Sequence, residues 1–275
     1  MSEPEIRKLS AKIGAEVRGI DLAQPLPQST LDWIEQALLE HMVLLFRGQD
    51  ITSEQQLAFG RSFGDVYCPS MAAFVPEYPD IMLLDTTNAK GAGADNWHYD
   101  ATFMTEPPKA CVLRPVQLPT AGGDTCYANM VAAYEALSPA LRSMLDGLTA
   151  VHDLTGQLRK SIDLGVSPED FETIRKKWPP IEHPVVRTHP VTGRKALFLN
   201  KVTGSRLKGL SERENDLLVP FLLDHVRETE FQCRIRWEPD CIAFWDNRCT
   251  QHCGVPDFNE RRVMHRVTIA GDKPH

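Results

Sequence analysis

In the stretch Asn96-Trp97-His98-Tyr99-Asp100 an imidazole and a carboxylate stand two residues apart. Side chains on an extended backbone repeat every two residues, so His98 and Asp100 project to one side and could grip a single metal ion. His-x-Asp alone is a frequent pattern. Its weight changes with a further imidazole, His252, in Asp246-Asn247-Arg248-Cys249-Thr250-Gln251-His252. Two imidazoles and one carboxylate on one face of a metal make the ligand set of non-haem Fe(II) oxygenases, with three positions open for co-substrate and oxygen.

Other candidates fit less well. Cys249 and Cys253 flank the His252 loop and read either as soft metal ligands or as small buried filler. Val151-His152-Asp153 sets another imidazole beside a carboxylate, but no constellation follows it. Trp97 reads as packing, and Asn247 and Trp245 as supports of the His252 strand.

The elements that must position these residues follow from periodicity and punctuation. Ala11 to Leu22 alternates like one or two short strands. Ser29 or Thr30 is expected to cap a helix over Leu31 to His41, and Met42 to Phe46 reads as a buried strand. Ser53 with Gln56 forms a capping-box pattern for a helix from Glu54 to Ser62. Ile81 to Leu84 and Cys111 to Val116 read as strands, and Lys90 to Gly93 as a turn before a His98 strand. The turn Ala121-Gly122-Gly123-Asp124 sets Thr125 at the head of the next strand. Ser138 followed by Pro139 opens a helix, and Ser211 with Glu214 opens another to about Arg227, kinked or broken at Pro220. Val185 to His189 and Lys195 to Leu199 flank a hairpin turn. Strands are expected at Phe231 to Arg236, Cys241 to Trp245 and Met264 to Ala270. Leu154 to Pro180 is weakly patterned with a polar helix, the character of a lid insertion. Periodicity alone gives a mixed α and β chain.

Bulk properties narrow the class. The 275 residues, 42% hydrophobic, suffice for one core, and no low-complexity linker divides them, so a single domain is expected. A net charge of −7 and pI of 5.7 exclude a general nucleic-acid binder, which needs a basic face. No stretch reaches the roughly eighteen apolar residues of a membrane span, and the acidic Met1-Ser2-Glu3-Pro4-Glu5 is unlike a secretory signal. A cytoplasmic enzyme with reduced thiols is expected, since its seven cysteines contain no Cys-x-x-Cys.

The order and spacing of five elements carry a resemblance. Asp100 is followed by Thr125 in Gly122-Gly123-Asp124-Thr125, then by His252, then by Arg262 and Arg266 in Arg261-Arg262-Val263-Met264-His265-Arg266, ten and fourteen positions beyond His252. The chain resembles the taurine dioxygenase and 2,4-dichlorophenoxyacetate dioxygenase family, from Gly14-Ala15-Glu16-Val17-Arg18-Gly19-Ile20 to that arginine block. The resemblance implies a double-stranded β-helix (jelly-roll) core with surrounding helices, β dominating the mixed α/β class. It implies Fe(II) on His98, Asp100 and His252, with 2-oxoglutarate and O2 as co-substrates. It further implies that Arg262 and Thr125 hold the distal carboxylate of 2-oxoglutarate, a task that suits the planar, permanently charged guanidinium. Arg266 then corresponds to the position that meets the acidic group of the primary substrate.

The chain departs from taurine-specific members, which carry a His in the segment corresponding to about Tyr67 to Ser70. No His lies between His41 and His98 here, and Ala94 stands where those members have Asn. A more apolar anion is therefore expected, lined by Met71, Phe74, Tyr99, Phe103 and Phe198. The expected reaction is hydroxylation of a small sulfonate, sulfate ester or carboxylate with release of succinate and CO2, in a homo-oligomer. The alternatives are a metal-binding jelly roll without oxygenase activity and a zinc hydrolase on the same ligands.

Overall fold

The computed structural model describes residues 3–68, 72–87, 94–163 and 170–275. Its framework is a nine-stranded sheet in the order Glu5–Lys8, Ala15–Arg18, Val43–Phe46, Ile242–Asp246, Ala110–Gln117, Arg262–Ile269, Tyr78–Thr86 and Phe74–Val75, with Val66–Tyr67 paired to the end of Arg262–Ile269. Every pairing is antiparallel except that of Ala15–Arg18 with Val43–Phe46. A smaller sheet sets Thr125–Asn129 between Gln232–Ile235 and Thr250–Gly254.

Alternation along the large sheet decides what faces the site. The cross-strand row Leu44, Phe244, Val112, Val267 and Ile81 is buried beneath the helices Gln28–His41 and Ser53–Arg61, with Phe59 packed edge-on against Phe46, Phe63 and Phe244. Each such side chain contributes on the order of 1.5–3 kcal/mol when fully buried. The next row, Leu45, Ala243, Leu113, Arg266 and Met82, has the opposite orientation and looks inward. A charged residue in that row has to be matched by something in the interior.

The strand-rich mixed α/β architecture agrees with the sequence reading, and several local signals hold. Ser138 caps Pro139–Leu145, Ser211 and Glu214 form a capping box, and Val186–Thr188 pairs with Lys195–Leu197. Three expectations are corrected. The first helix begins at Gln28 behind Pro27 with no side-chain cap, so Ser29 and Thr30 lie inside it. The second is capped by Thr52 with Gln55, one residue before the expected pair. The helix Glu212–His225 runs through Pro220, so of the two expected outcomes the break does not occur. Residues 154–180 hold two short helices, Thr155–Asp163 and Phe171–Lys177; among the described residues no helix is long and apolar enough to cross a membrane.

Candidate active site

His252 lies on the strand Thr250–Gly254 and meets His98 through an isolated two-way bridge: the His98 amide donates to the His252 carbonyl at 3.0 Å, and the His252 amide to the His98 carbonyl at 2.9 Å. This is less than the strand the spacing suggested. It is enough to set the two rings 4.2 Å apart between centroids. The Asp100 carboxylate completes the set, with Oδ1 4.0 Å from His98 Nε2 and Oδ2 3.9 Å from His252 Nε2. All three ligand atoms lie within 4.8 Å of one another. His98 Nδ1 donates to the Asn96 carbonyl at 2.7 Å, which leaves the Nε2 lone pair for a metal. Burial holds both imidazoles in the neutral, ligating form, and pulls His252 down to about 3 with His98 beside it.

The chain reverses directly after Asp100, where Ala101 adopts φ +49°, a left-handed conformation uncommon for a residue with a Cβ. Polar contacts hold this turn. Asn247, fully buried, accepts from the Asp100 amide at 2.9 Å and donates to the Asp100 carbonyl at 3.2 Å and the Pro108 carbonyl at 3.1 Å. Asn200 binds the Tyr99 carbonyl, and His183 binds the Thr102 and Met104 carbonyls. Asn247 was read as a support of His252; the residue it holds is Asp100.

Thr125 heads its strand as expected, and its hydroxyl accepts from Trp237 Nε1 at 3.0 Å, so its own proton is free to donate. Arg262 runs across the glycine turn. Gly122 and Gly123 have φ of +82° and +73°, and a Cβ at 123 would stand 3.0 Å from Arg262 Cδ. The Gly-Gly pair, read as a turn, therefore also makes room for this arginine. Among the described residues no carboxylate pairs with Arg262, and its buried Nε has no hydrogen-bond partner. Burial pulls its pKa down to about 10. A partly buried guanidinium without an anion is costly, so the position is suited to the carboxylate of a ligand.

Arg266 behaves differently. Its Nη1 donates to Asp100 Oδ1 at 2.7 Å, and its Nη2 lies 3.0 Å from Met82 Sδ. Although burial opposes ionisation, Arg266 with His252 and His98 holds the Asp100 carboxyl well below the usual range. Cys111 adds an S–H donor to Asp100 Oδ2 at 3.4 Å. Neither Met82 nor Cys111 carried a signal in the sequence.

The expected lining residues divide. Tyr99, between His98 and Asp100, points the other way into the core, with its hydroxyl on the Leu197 carbonyl at 2.8 Å and its ring 4.6 Å from Phe198. Both are core residues, which corrects the expectation for Tyr99 and Phe198. Phe103 packs edge-on against Trp178 at 5.2 Å. Phe74 is half exposed, in register with Met82 and hence in the row of Arg266. Met71 lies outside the described residues. Tyr67 and Met104, 3.6 Å apart at Oη and Sδ, line a cavity of about 360 Å³ with Trp178.

A second cluster, His189, Asp246 and Cys249, has metal-ligand chemistry but no free valence. Arg248 grips both Asp246 oxygens, His189 Nε2 donates to Oδ2 at 3.0 Å, and His189 Nδ1 accepts from the Val191 and Thr192 amides. It is a buried ion pair that braces the turn before His252, and Cys249 beside it is filler.

Two imidazoles and a carboxylate converge beside inward-facing arginines, one of them without an anion among the described residues. This defines a metal-dependent enzyme with a seat for an acidic co-substrate. The sequence profile of the taurine catabolism dioxygenase TauD, TfdA family matches residues 5–268. An alpha-ketoglutarate-dependent sulfate ester dioxygenase of Pseudomonas putida is 38% identical over 99% of this chain and 91% of its own length. An alpha-ketoglutarate-dependent 2,4-dichlorophenoxyacetate dioxygenase of Cupriavidus pinatubonensis is 34% identical over 94% of each chain. A taurine dioxygenase structure from Burkholderia xenovorans superposes with a TM-score of 0.85, at 34% identity, covering 99% of this chain and 93% of that one. The chain belongs to the TauD, TfdA family and is an Fe(II)- and 2-oxoglutarate-dependent dioxygenase. The zinc-hydrolase and non-enzymatic alternatives are set aside.

Proposed function

We propose that this enzyme hydroxylates a C–H bond beside the heteroatom of a small organic anion, a sulfate ester or sulfonate with an apolar tail before a carboxylate. The single observation that supports the assignment of the co-substrate seat is the partly buried Arg262 guanidinium, whose shielded Nε has no partner and which pairs with no carboxylate among the described residues. His98, Asp100 and His252 would hold Fe(II), and Arg262 with the Thr125 hydroxyl would take the distal carboxylate of 2-oxoglutarate. With O2, the bound iron and 2-oxoglutarate supply the oxidising chemistry, releasing succinate and CO2.

The chain's own contribution is position and charge. Asn247 fixes the Asp100 backbone on both sides, so the carboxylate keeps one orientation. Arg266 holds Asp100 ionised, and its buried Nε remains unpartnered, a donor available to an acidic substrate group. The apolar tail would lie toward Phe74, Met82, Tyr67, Met104 and the Phe103–Trp178 contact. Residues 154–180, which include Trp178, would act as the lid over that tail. The largely antiparallel pairing of the two sheets supports a double-stranded β-helix core as the scaffold.

The test combines spectrum and turnover. Anaerobic protein with Fe(II) and 2-oxoglutarate should give a weak visible charge-transfer band that zinc does not, and the band should shift with the true substrate. Alkyl sulfates, alkyl sulfonates and aryloxyalkanoates are then compared for coupled succinate formation. A preference for aryloxyalkanoates would overturn the sulfur-anion assignment, and the absence of the band would overturn the assigned seat.

A further inference from the structure

We infer that Cys126 and Cys253 form a reversible oxidation site, a thiol pair that closes to a disulfide on the outer face of the metal-bearing sheet when a peroxide is present. The two residues are direct cross-strand partners, on Thr125–Asn129 and Thr250–Gly254. The ladder gives their spacing. Met130 donates to the Cys249 carbonyl at 3.0 Å and Val255 to the Asp124 carbonyl at 2.8 Å, and hydrogen-bonded positions alternate between them. Cys126 and Cys253 thus occupy a hydrogen-bonded position, where α-carbons stand about 5.5 Å apart. That is within the roughly 4.4–6.8 Å a disulfide spans.

Direction and access agree. Thr125, Tyr127 and His252 turn inward, so Cys126 and Cys253 turn outward, where both line a cleft of about 940 Å³ with Lys201, Asp224 and Arg227. Cys111, Cys233, Cys241 and Cys249 are buried. Both thiols of the pair are only partly exposed, so proximity has to carry the second step.

The chemistry balances with a peroxide as oxidant. One thiol attacks the O–O bond, becoming a sulfenic acid and releasing water; the partner sulfur then attacks the sulfenic sulfur, forming S–S and expelling a second water. Two electrons and two protons leave the thiols in total. Cβ atoms at a hydrogen-bonded position start farther apart than the mean disulfide spacing of about 3.8 Å, so the bond is strained and readily reduced. It would tie the neighbour of His252 to the neighbour of Thr125.

The full chain, with and without metal, is treated with hydrogen peroxide and mapped by mass spectrometry of non-reduced peptides. The expected product is a Cys126–Cys253 cross-link lacking two hydrogens and removed by dithiothreitol. Cys126→Ser and, separately, Cys253→Ser should abolish it, while Cys249→Ser leaves it. Before peroxide, Cys126→Ser should turn over within about twofold of the parent, as for a change on an outer face. Cross-links between other cysteines, or sulfinic acids on unlinked Cys126 and Cys253, would overturn the inference.

Discussion

Arg266 Nη1 and Asp100 Oδ1 are joined at 2.7 Å by a charge-assisted hydrogen bond between a nearly buried guanidinium and a buried carboxylate. Asp100 therefore divides its oxygens: Oδ1 faces Arg266, and Oδ2 faces His252 and Cys111. Removing one member of such a pair leaves an uncompensated buried charge, at a cost of about 3–5 kcal/mol. Asp100→Ala is expected to lose turnover and also to destabilise the metal-free protein by that amount in urea unfolding. Adding Arg266→Met should recover most of the stability and none of the turnover. If the double variant is as unstable as the additive sum, the pair does not carry the energy assigned to it.

Asn247 is expected to be the main support of the metal carboxylate. Asn247→Ala strips partners from the Asp100 amide and carbonyl, and each buried group so stranded costs about 1–3 kcal/mol. Iron should bind more weakly, while the 2-oxoglutarate requirement at saturating iron stays near that of the parent. Asn247→Asp restores the acceptor but not the donor, and should fall between. Unchanged iron affinity in the alanine variant would assign Asn247 to packing alone.

His98, Asp100 and His252 are legible because a ligand set is a matter of side-chain type and order, and the structure brings them together. The capping box was misplaced because Thr52-x-x-Gln55 and Ser53-x-x-Gln56 satisfy the same pattern; Gln56 is excluded only because it points inward to bind the Val112 and His265 carbonyls. Tyr99 is expected in the pocket lining, yet the alternation that puts His98 and Asp100 on one side puts it on the other. The Arg266–Asp100 pair lies beyond sequence reading, since it depends on the register of Arg262–Ile269 against its neighbours.

Acid should weaken the fold through His152. Its Nδ1 sits 3.0 Å from Thr102 Oγ1 and 3.1 Å from Thr203 Oγ1, and its Nε2 is unpartnered. Burial, with His183 adjacent, pulls its pKa from 6.5 down to about 3. Below pH 6.5 the unfolded chain takes up a proton that the folded chain refuses, so this contribution is complete above 6.5 and is lost as pH falls toward 3. From pH 7 to pH 5 the loss is about 2 kcal/mol. In urea unfolding at the two values, His152→Gln should shrink the difference by that amount; an equal difference in both proteins would mean that other groups carry it.

The two arginines share a strand and a charge but should serve different ligands. Residues 262 and 266 are four apart on Arg262–Ile269, about 13 Å along the strand and on the same side. Arg266 is engaged with Asp100, whereas Arg262 has no anion among the described residues. Removing a charged partner from a ligand costs about 1.5–3 kcal/mol, or roughly 10- to 150-fold in binding. Arg262→Gln should therefore raise the 2-oxoglutarate requirement at least about tenfold and leave substrate preference alone. Gly123→Ala should move in the same direction, because a Cβ there both crowds Arg262 Cδ and strains a left-handed backbone. Arg266→Gln leaves Asp100 held by Asn247 and Cys111, so the iron and 2-oxoglutarate band should persist. Its spectral response to an acidic substrate should vanish, and succinate should form only slowly. Equal weakening of 2-oxoglutarate by Arg262→Gln and Arg266→Gln would make Arg266 part of the co-substrate seat and remove the proposed contact with the substrate anion.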